Sequence, residues 1–286
     1  MNGGLRLQAM LARRAARRLV QMARCRRIGL RGVPVLFANS FPKSGTHLLT
    51  QVLAGFSRIG PAVDSGLPAI VTFEGDTGKR REQDQILADL ERLLPGDIAY
   101  GHLHALPEIC AWLSREGVAG YLILRDPRDV VVSHVHYVTE MEPRHAHHRY
   151  YTESLHSFSE RLAASIRGFD GPLGLPDIRS RFEPFLGWLQ QPEVLVLKYE
   201  DLVHSPEAGL ERVIAHAERR GFPLSCSHQE AMQILAQGIE PRRSPTFRSG
   251  KAGGWRECFT HHHKQLFLQA AGDLLITLGY EQDHDW

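Results

Sequence analysis

Val33-Pro-Val-Leu-Phe-Ala38-Asn39-Ser40-Phe41-Pro42-Lys43-Ser44-Gly45-Thr46-His47-Leu48-Leu49-Thr-Gln-Val52-Leu53-Ala-Gly-Phe56 is the stretch whose reading decides the fold. Val33 to Ala38 is an apolar run of strand length, closed by Asn39 and Ser40. Leu48, Leu49, Val52, Leu53 and Phe56 then fall on one face of a helix. Strand, polar glycine-containing turn and helix follow in that order, the arrangement in which free N–H groups at a helix start face an anion. Lys43 lies before the glycine instead of after it, so the Walker order Gly-x-x-x-x-Gly-Lys-Ser/Thr is absent and a nucleoside triphosphate loop of that type is disfavoured.

Working outward, the same alternation repeats. Ala69 to Phe73 and Asp97 to Tyr100 are short strand candidates, separated by a charged helical stretch from Gln83 to Leu94. Tyr121 to Leu124 is a compact apolar run. After it come Arg125-Asp126-Pro127, with Pro127 where a first helical turn tolerates it, and then Val130, Val131, His134 and Tyr137 at helical spacing. Val194 to Leu197 repeats the strand signal, Pro206 to Arg219 reads as a helix, and a last helix is expected from about Thr260 to Leu278. The pattern predicts the α/β class, a central parallel sheet flanked by helices. Glu140 to Pro184, rich in His, Arg, Gly and Pro, lacks periodicity and is expected to be an insertion or an acceptor-side lid, and Ile239 to Trp255 is a second irregular stretch.

With 286 residues, 43% of them hydrophobic and 23% charged, the chain can bury a substantial core. Its longest apolar segment, Ile109 to Leu124, is broken by Arg115 and Glu116, so no bilayer span of roughly 18 residues is expected. Cys25, Cys110, Cys226 and Cys258 are scattered, which fits a reducing compartment and a cytoplasmic location. The net charge of +2 conceals an asymmetry, since Met1 to Arg31 holds nine arginines and no acidic residue. There Leu7, Met10, Leu11, Leu19, Val20 and Met22 alternate with Arg13, Arg14, Arg17 and Arg18 at helical spacing. A solvated tail, a peripheral membrane-surface helix, a nucleic-acid arm or targeting peptide, and a docked structural helix compete for this pattern. Residues 1–31 are set apart as a basic segment preceding a domain at 32–286, and nucleic acid is not an expected partner of that domain.

Pro42-Lys43-Ser44-Gly45-Thr46 at a strand-to-helix turn resembles the 5′-phosphosulfate loop of the sulfotransferases that use 3′-phosphoadenosine 5′-phosphosulfate (PAPS). The resemblance implies that Ser44, Gly45, Thr46 and His47 hold the 5′-phosphate and that Lys43 neutralises the bridging oxygen as its bond to sulfur breaks. It extends to Arg125 and Ser133, eight residues apart at the end of one strand and inside the next helix, where the family binds the 3′-phosphate. A guanidinium fork suits that group. Arg248-Ser249-Gly250-Lys251-Ala252-Gly253-Gly254-Trp255 is similar to the family's Arg-Lys-Gly-x-x-Gly-x-Trp segment, which implies a 3′-phosphate pocket at Arg248, Ser249 and the Gly250 main chain, with Ser249 in place of a lysine and Lys251 as a substitute donor. By the same likeness Tyr199 lies near the adenine, while Leu48 stands where cytosolic relatives often have a stacking tryptophan.

Sulfuryl transfer to an alcohol needs a base for the hydroxyl proton. His102, in Gly101-His102-Leu103, is similar to the family's catalytic His-Leu segment. His104 is the fallback, and Glu74 could occupy the place of the glutamate that some sugar-acting relatives use. His145-Ala-His147-His148 and His261-His262-His263 invite a metal, but neighbouring histidines on a helix point about 100° apart, so a metal site is not expected, and the activated donor needs none. These features imply an enzyme moving a sulfuryl group from PAPS to a hydroxyl on a carbohydrate, lipid or small alcohol. The alternatives are a nucleotide kinase-like phosphotransferase and a noncatalytic nucleotide- or polysaccharide-binding protein.

Overall fold

A computed structural model of the chain describes residues 3–25, 29–74, 77–240, 242 and 250–286, with side chains in the first helix from Gln8 onward. Six strands form the sheet: β1 (Val35–Ser40), β2 (Val63–Asp64), β3 (Ile70–Val71), β4 (Asp97–His102), β5 (Val118–Leu124) and β6 (Val194–Lys198). Their order is β2-β4-β1-β5-β6, with β3 also paired to β4, and every pairing is parallel. Parallel strands need crossovers. While α1 (Gly3–Arg24) precedes β1, α2 (Thr46–Ile59), α3 (Gln83–Leu90), α4 (Pro107–Ser114) and the run of α5 (Pro127–His136), α6 (Phe158–Arg167) and α7 (Ile178–Leu186) lie in these crossovers. α8 (Tyr199–His204), α9 (Pro206–Arg219) and α10 (His228–Gln237) follow β6. Three helices close the chain, α11 (Trp255–Cys258), α12 (His261–Ala271) and α13 (Leu274–Thr277).

The central strands are apolar on both faces because helices cover both. Leu36, Ala38, Tyr121 and Ile123 pack under α2, α9 and α10, while Val35, Phe37, Leu122 and Leu124 pack toward α4 to α7 and α12. All strands run the same way, so Ser40, His102, Leu124 and Lys198 end at one edge of the sheet, the edge where ligands of open α/β folds bind.

Two expectations need correction. The 140–184 stretch carries α6 and most of α7, which put Leu162, Ile166, Ile178 and Phe182 into the core. α6 starts with a capping box, Ser157 and Glu160. The breaks that hid these helices are two π-helical turns, Tyr137–Met141 and Tyr150–Ser154, and the Gly168–Pro176 connection. The last helix is also divided, because Gly272 adopts φ 51 between α12 and α13, a conformation that ends a helix.

α1 lies on the sheet edge in an unusual sense. Arg14 and Arg18 both pair with Asp97, whose side chain is fully buried, and Arg17 pairs with Asp64 at 3.0 Å. Gln21 Nε2 donates to the Ser57 and Gly60 carbonyls at 2.8 Å. The polar face is therefore turned inward, and Leu11, Ala12, Ala15, Ala16, Leu19, Val20 and Met22 are exposed. No helix among the described residues is long and apolar enough to cross a membrane.

Candidate functional site

The loop after β1 folds as its sequence demands. Ser44 N donates to the Phe41 carbonyl at 3.1 Å, and Lys43 takes a left-handed φ of 70. Gly45 follows at φ 99, where a Cβ would stand 2.5 Å from Cδ2 of Tyr199, so only glycine fits. Gly45 begins α2 without any side-chain cap, leaving main-chain donors of the first turn free for an anion. Thr46 Oγ1 lies 2.8 Å from Ser40 Oγ. Ser44 is fully buried with an unpartnered hydroxyl and does not line the cavity above the loop, so its expected ligand contact is confined to the main chain.

That cavity, about 1690 Å³, runs along the C-terminal edge of the sheet. Lys43, Gly45, Thr46, His47, Leu48, His102, Arg125, Ser133, Tyr199 and Gly250 line it, as do the fallback bases His104 and Glu74. Arg248 and Ser249 lie outside the described residues. The Lys43 ammonium sits 3.6 Å above the ring centroid of Tyr137, and no carboxylate pairs with it among the described residues. Burial, assisted by the charge of Arg125, lowers its pKa to about 7. A buried cation without a counter-charge is what an anionic ligand would relieve.

His102 is held by Ser40. Its Nδ1 lies 2.9 Å from the Ser40 carbonyl and 3.0 Å from Ser40 Oγ. Since the carbonyl can only accept, Nδ1 carries the proton, and the lone pair is left on Nε2. Burial lowers the pKa of His102, the Ser40 bond opposes this, and the charges of His47 and Lys43 add to the lowering, so the ring is neutral near pH 7. His47 is lowered likewise, by burial and then by Lys43. His104 packs edge-on to Phe185 at 5.0 Å and falls to about 4, chiefly through burial. Glu74 accepts from Thr77 Oγ1 at 2.7 Å.

At the other end, Arg125 lies 4.6 Å over the Tyr199 ring, donates to the Lys251 carbonyl at 2.9 Å and pairs with Asp129 at 3.3 Å. Asp129 also accepts the N–H groups of Gly253 at 2.7 Å and Trp255 at 2.9 Å. Tyr199 donates to the Gly250 carbonyl at 3.1 Å. One carboxylate thus ties the arginine to the glycine-rich segment. Sequence reasoning passed over it, as it did Ser40 and Tyr137. Asp129 follows Arg125 by one helical turn, which could have marked the pair. Tyr137, on a π-helical turn, gave no such signal. Arg128 serves packing and not the cavity: it is buried between Trp255 and Trp286 and paired with Asp126 and Glu281.

The histidine tracts divide. His263 is buried in the start of α12, its Nε2 3.0 Å from Ser159 Oγ. His145 and His147 lie on a loop rather than a helix and meet His134 of α5, so the helical argument against convergence does not apply to them.

A parallel α/β sheet, an uncapped helix start with a lysine and a glycine, and a neutral histidine on the same cavity are the parts that group transfer from an anionic donor calls for. The sequence profile of the sulfotransferase domain matches residues 121–276, more than half of the chain. The chain belongs to the sulfotransferase family and is an enzyme that moves a sulfuryl group to a hydroxyl acceptor. It is 24% identical over 257 residues to a flavonol 3-sulfotransferase of Flaveria bidentis, covering 79% of this chain and 76% of that protein. Among solved structures it resembles retinol dehydratase in complex with androsterone and inactive cofactor PAP, with TM-score 0.57, 19% identity, and 91% of this chain and 85% of that one covered. It also resembles a mouse sulfotransferase complexed with PAP, with TM-score 0.54, 20% identity, and 87% and 89% covered. These two likenesses are of fold.

Proposed function

We propose that the chain transfers the sulfuryl group of PAPS to an alcohol, with Lys43 and His102 as its catalytic residues. When bound, the donor supplies an already activated sulfuryl group. The main-chain donors at Gly45 to His47 and the Thr46 hydroxyl would hold its 5′-phosphate, and Arg125, Ser133 and the Gly250 main chain its 3′-phosphate. Tyr199, beside Gly45 and under Arg125, borders the nucleotide. His102 Nε2 takes the acceptor's hydroxyl proton as that oxygen bonds to sulfur, and the bond from sulfur to the bridging phosphate oxygen breaks. Lys43 meets the charge left on that oxygen. This leaves no part for a metal, and turnover should survive a chelator.

The observation that carries the reading is the pairing of a fixed His102 tautomer with a buried, uncompensated Lys43 on one cavity. Replacing Lys43 by Ala should lower kcat by about a hundredfold or more while changing affinity for the desulfated nucleotide PAP far less. Undiminished turnover would remove Lys43 from the mechanism.

Residues 1–31 are read as a segment appended to the catalytic domain at 32–286, making a peripheral contact with anionic membrane through the outer face of α1. The support is chemical. That face is apolar and is bordered by exposed Arg13 and Arg24, with exposed Arg31 further along the chain, the composition that binds anionic lipid surfaces.

A further inference from the structure

Arg181 of α7 also lines the cavity and has no part in the donor site proposed above. Its Nη2 donates to the Ser165 carbonyl, and its Nε is buried without a partner. No carboxylate forms an ion pair with it among the described residues. Asp177, the acid nearest in charge, caps α7 through Ser180 N at 2.8 Å and Ser180 Oγ at 3.0 Å. Burial lowers the pKa of Arg181 to about 10, which still leaves it charged.

The charge of this guanidinium reaches His134 and His147, and His145 packs against both. His134 Nδ1 is 2.9 Å from Ser165 Oγ, so Ser165 joins His134 to Arg181. The ring centroid of His145 is 6.0 Å from that of His134, and that of His147 is 5.0 Å from His145. One nitrogen of each histidine lies within 4.8 Å of the others, a spacing that invites a metal. Two observations oppose one. Arg181 acts on His134 and His147, and Lys43 on His134 and His145, so a dication here would enter a field already positive and add to it. His145 Nδ1 also accepts the His147 N–H at 3.1 Å, so its proton is on Nε2, making that nitrogen a donor and not a ligand. Glu142, the one acid whose charge reaches the cluster, acts on His145 alone and accepts the Arg144 N–H at 3.2 Å.

We propose that Arg181, His145 and His147, backed by His134, form a subsite for an anionic group on the acceptor, a carboxylate or a sulfate or phosphate ester, so that the substrate is an anionic alcohol. Arg181 offers the charge, His145 Nε2–H a hydrogen bond, and the unpartnered Nδ1 of His147 a place for a neighbouring hydroxyl of the acceptor. The charge of Lys43 is felt both by His102 and by His134 and His145, so the base and the subsite are both within reach of that ammonium on the one cavity. This inference rests on the sulfotransferase reading above for the identity of the acceptor, but not for the binding of the anion.

The test titrates the PAP-saturated protein, with histidine side chains isotope-labelled, against benzoate, benzenesulfonate and neutral benzamide at constant ionic strength. The expected result is saturable shifts of the His134, His145 and His147 signals, with either anion binding about tenfold or more tightly than benzamide. Arg181→Gln should abolish that preference and Arg181→Lys should retain part of it, with melting curves confirming that both fold. Equal affinity for anion and amide overturns the proposal, as does stoichiometric Zn²⁺ binding that shifts the same three signals and is lost in His147→Ala. Failure of PAP to bind would instead strike the donor reading, leaving the anion response to be read on the free protein.

Discussion

Lys43 is a residue whose neighbours set its charge. With its pKa lowered to about 7, the free ammonium loses its proton as pH rises through neutrality, whereas a nucleotide 5′-phosphate bound beside it would favour the charged form. PAP should therefore bind with proton uptake at about pH 8, and its affinity should weaken as pH rises further. Calorimetry in two buffers of different ionisation heat measures that uptake, and a pH-independent affinity across this range would place the lysine elsewhere. Arg125→Ala should weaken PAP by about 1.5–3 kcal/mol and leave adenosine 5′-phosphosulfate, which has no 3′-phosphate, much less affected. Equal losses in a competition assay would remove Arg125 from the 3′-phosphate. Both residues were legible in the sequence because short motifs at strand ends carry them. Ser40 and Tyr137 were not, since a serine closing a strand and a tyrosine past the end of a helix have no residue-type signature, and their roles come only from what packing brings beside them.

At the scale of elements, the strand–loop–helix at 35–59, the β5–α5 unit, β6 and α9 were read within a few residues, because a short continuous apolar run followed by apolar residues at helical spacing marks each strand-and-helix pair, whereas the short α8 between β6 and α9 was not read. Helices α6 and α7 were missed for the opposite reason: π-helical turns and a glycine–proline connection disrupt the period around them. Asp129 links two elements, α5 and the glycine-rich segment before α11. Asp129→Ala should free the main-chain donors of Gly253 and Trp255 and release Arg125, lowering PAP affinity about tenfold without a comparable change in kcat at saturation. A nucleotide titration of the variant checks this, and wild-type affinity would show that the segment holds its place by other contacts.

At the scale of the whole molecule, α1 joins the basic N-terminus to the sheet through Arg14, Arg18 and Asp97. The sequence showed the amphipathic pattern but not which face turns inward, because only the buried Asp97 makes an arginine face the docked one. Asp97→Ala should leave the largely buried arginine heads uncompensated and cost about 3–5 kcal/mol, read as a lower melting temperature. Leu11→Ser with Leu19→Ser, on the exposed face, should leave melting unchanged and reduce co-sedimentation with anionic vesicles. Undiminished lipid binding would end the membrane reading. The central claim, that the molecule is a sulfotransferase working through His102, is tested most directly by the rate at which sulfur-labelled PAPS passes its label to a panel of hydroxyl compounds, anionic alcohols included. Transfer by the wild type should fall about 10²-fold or more in His102→Ala while PAP affinity holds, and the acid limb of kcat/KM should lie below the ordinary histidine pKa, since burial has lowered that of His102. Label transfer by His102→Ala at the wild-type rate would contradict it.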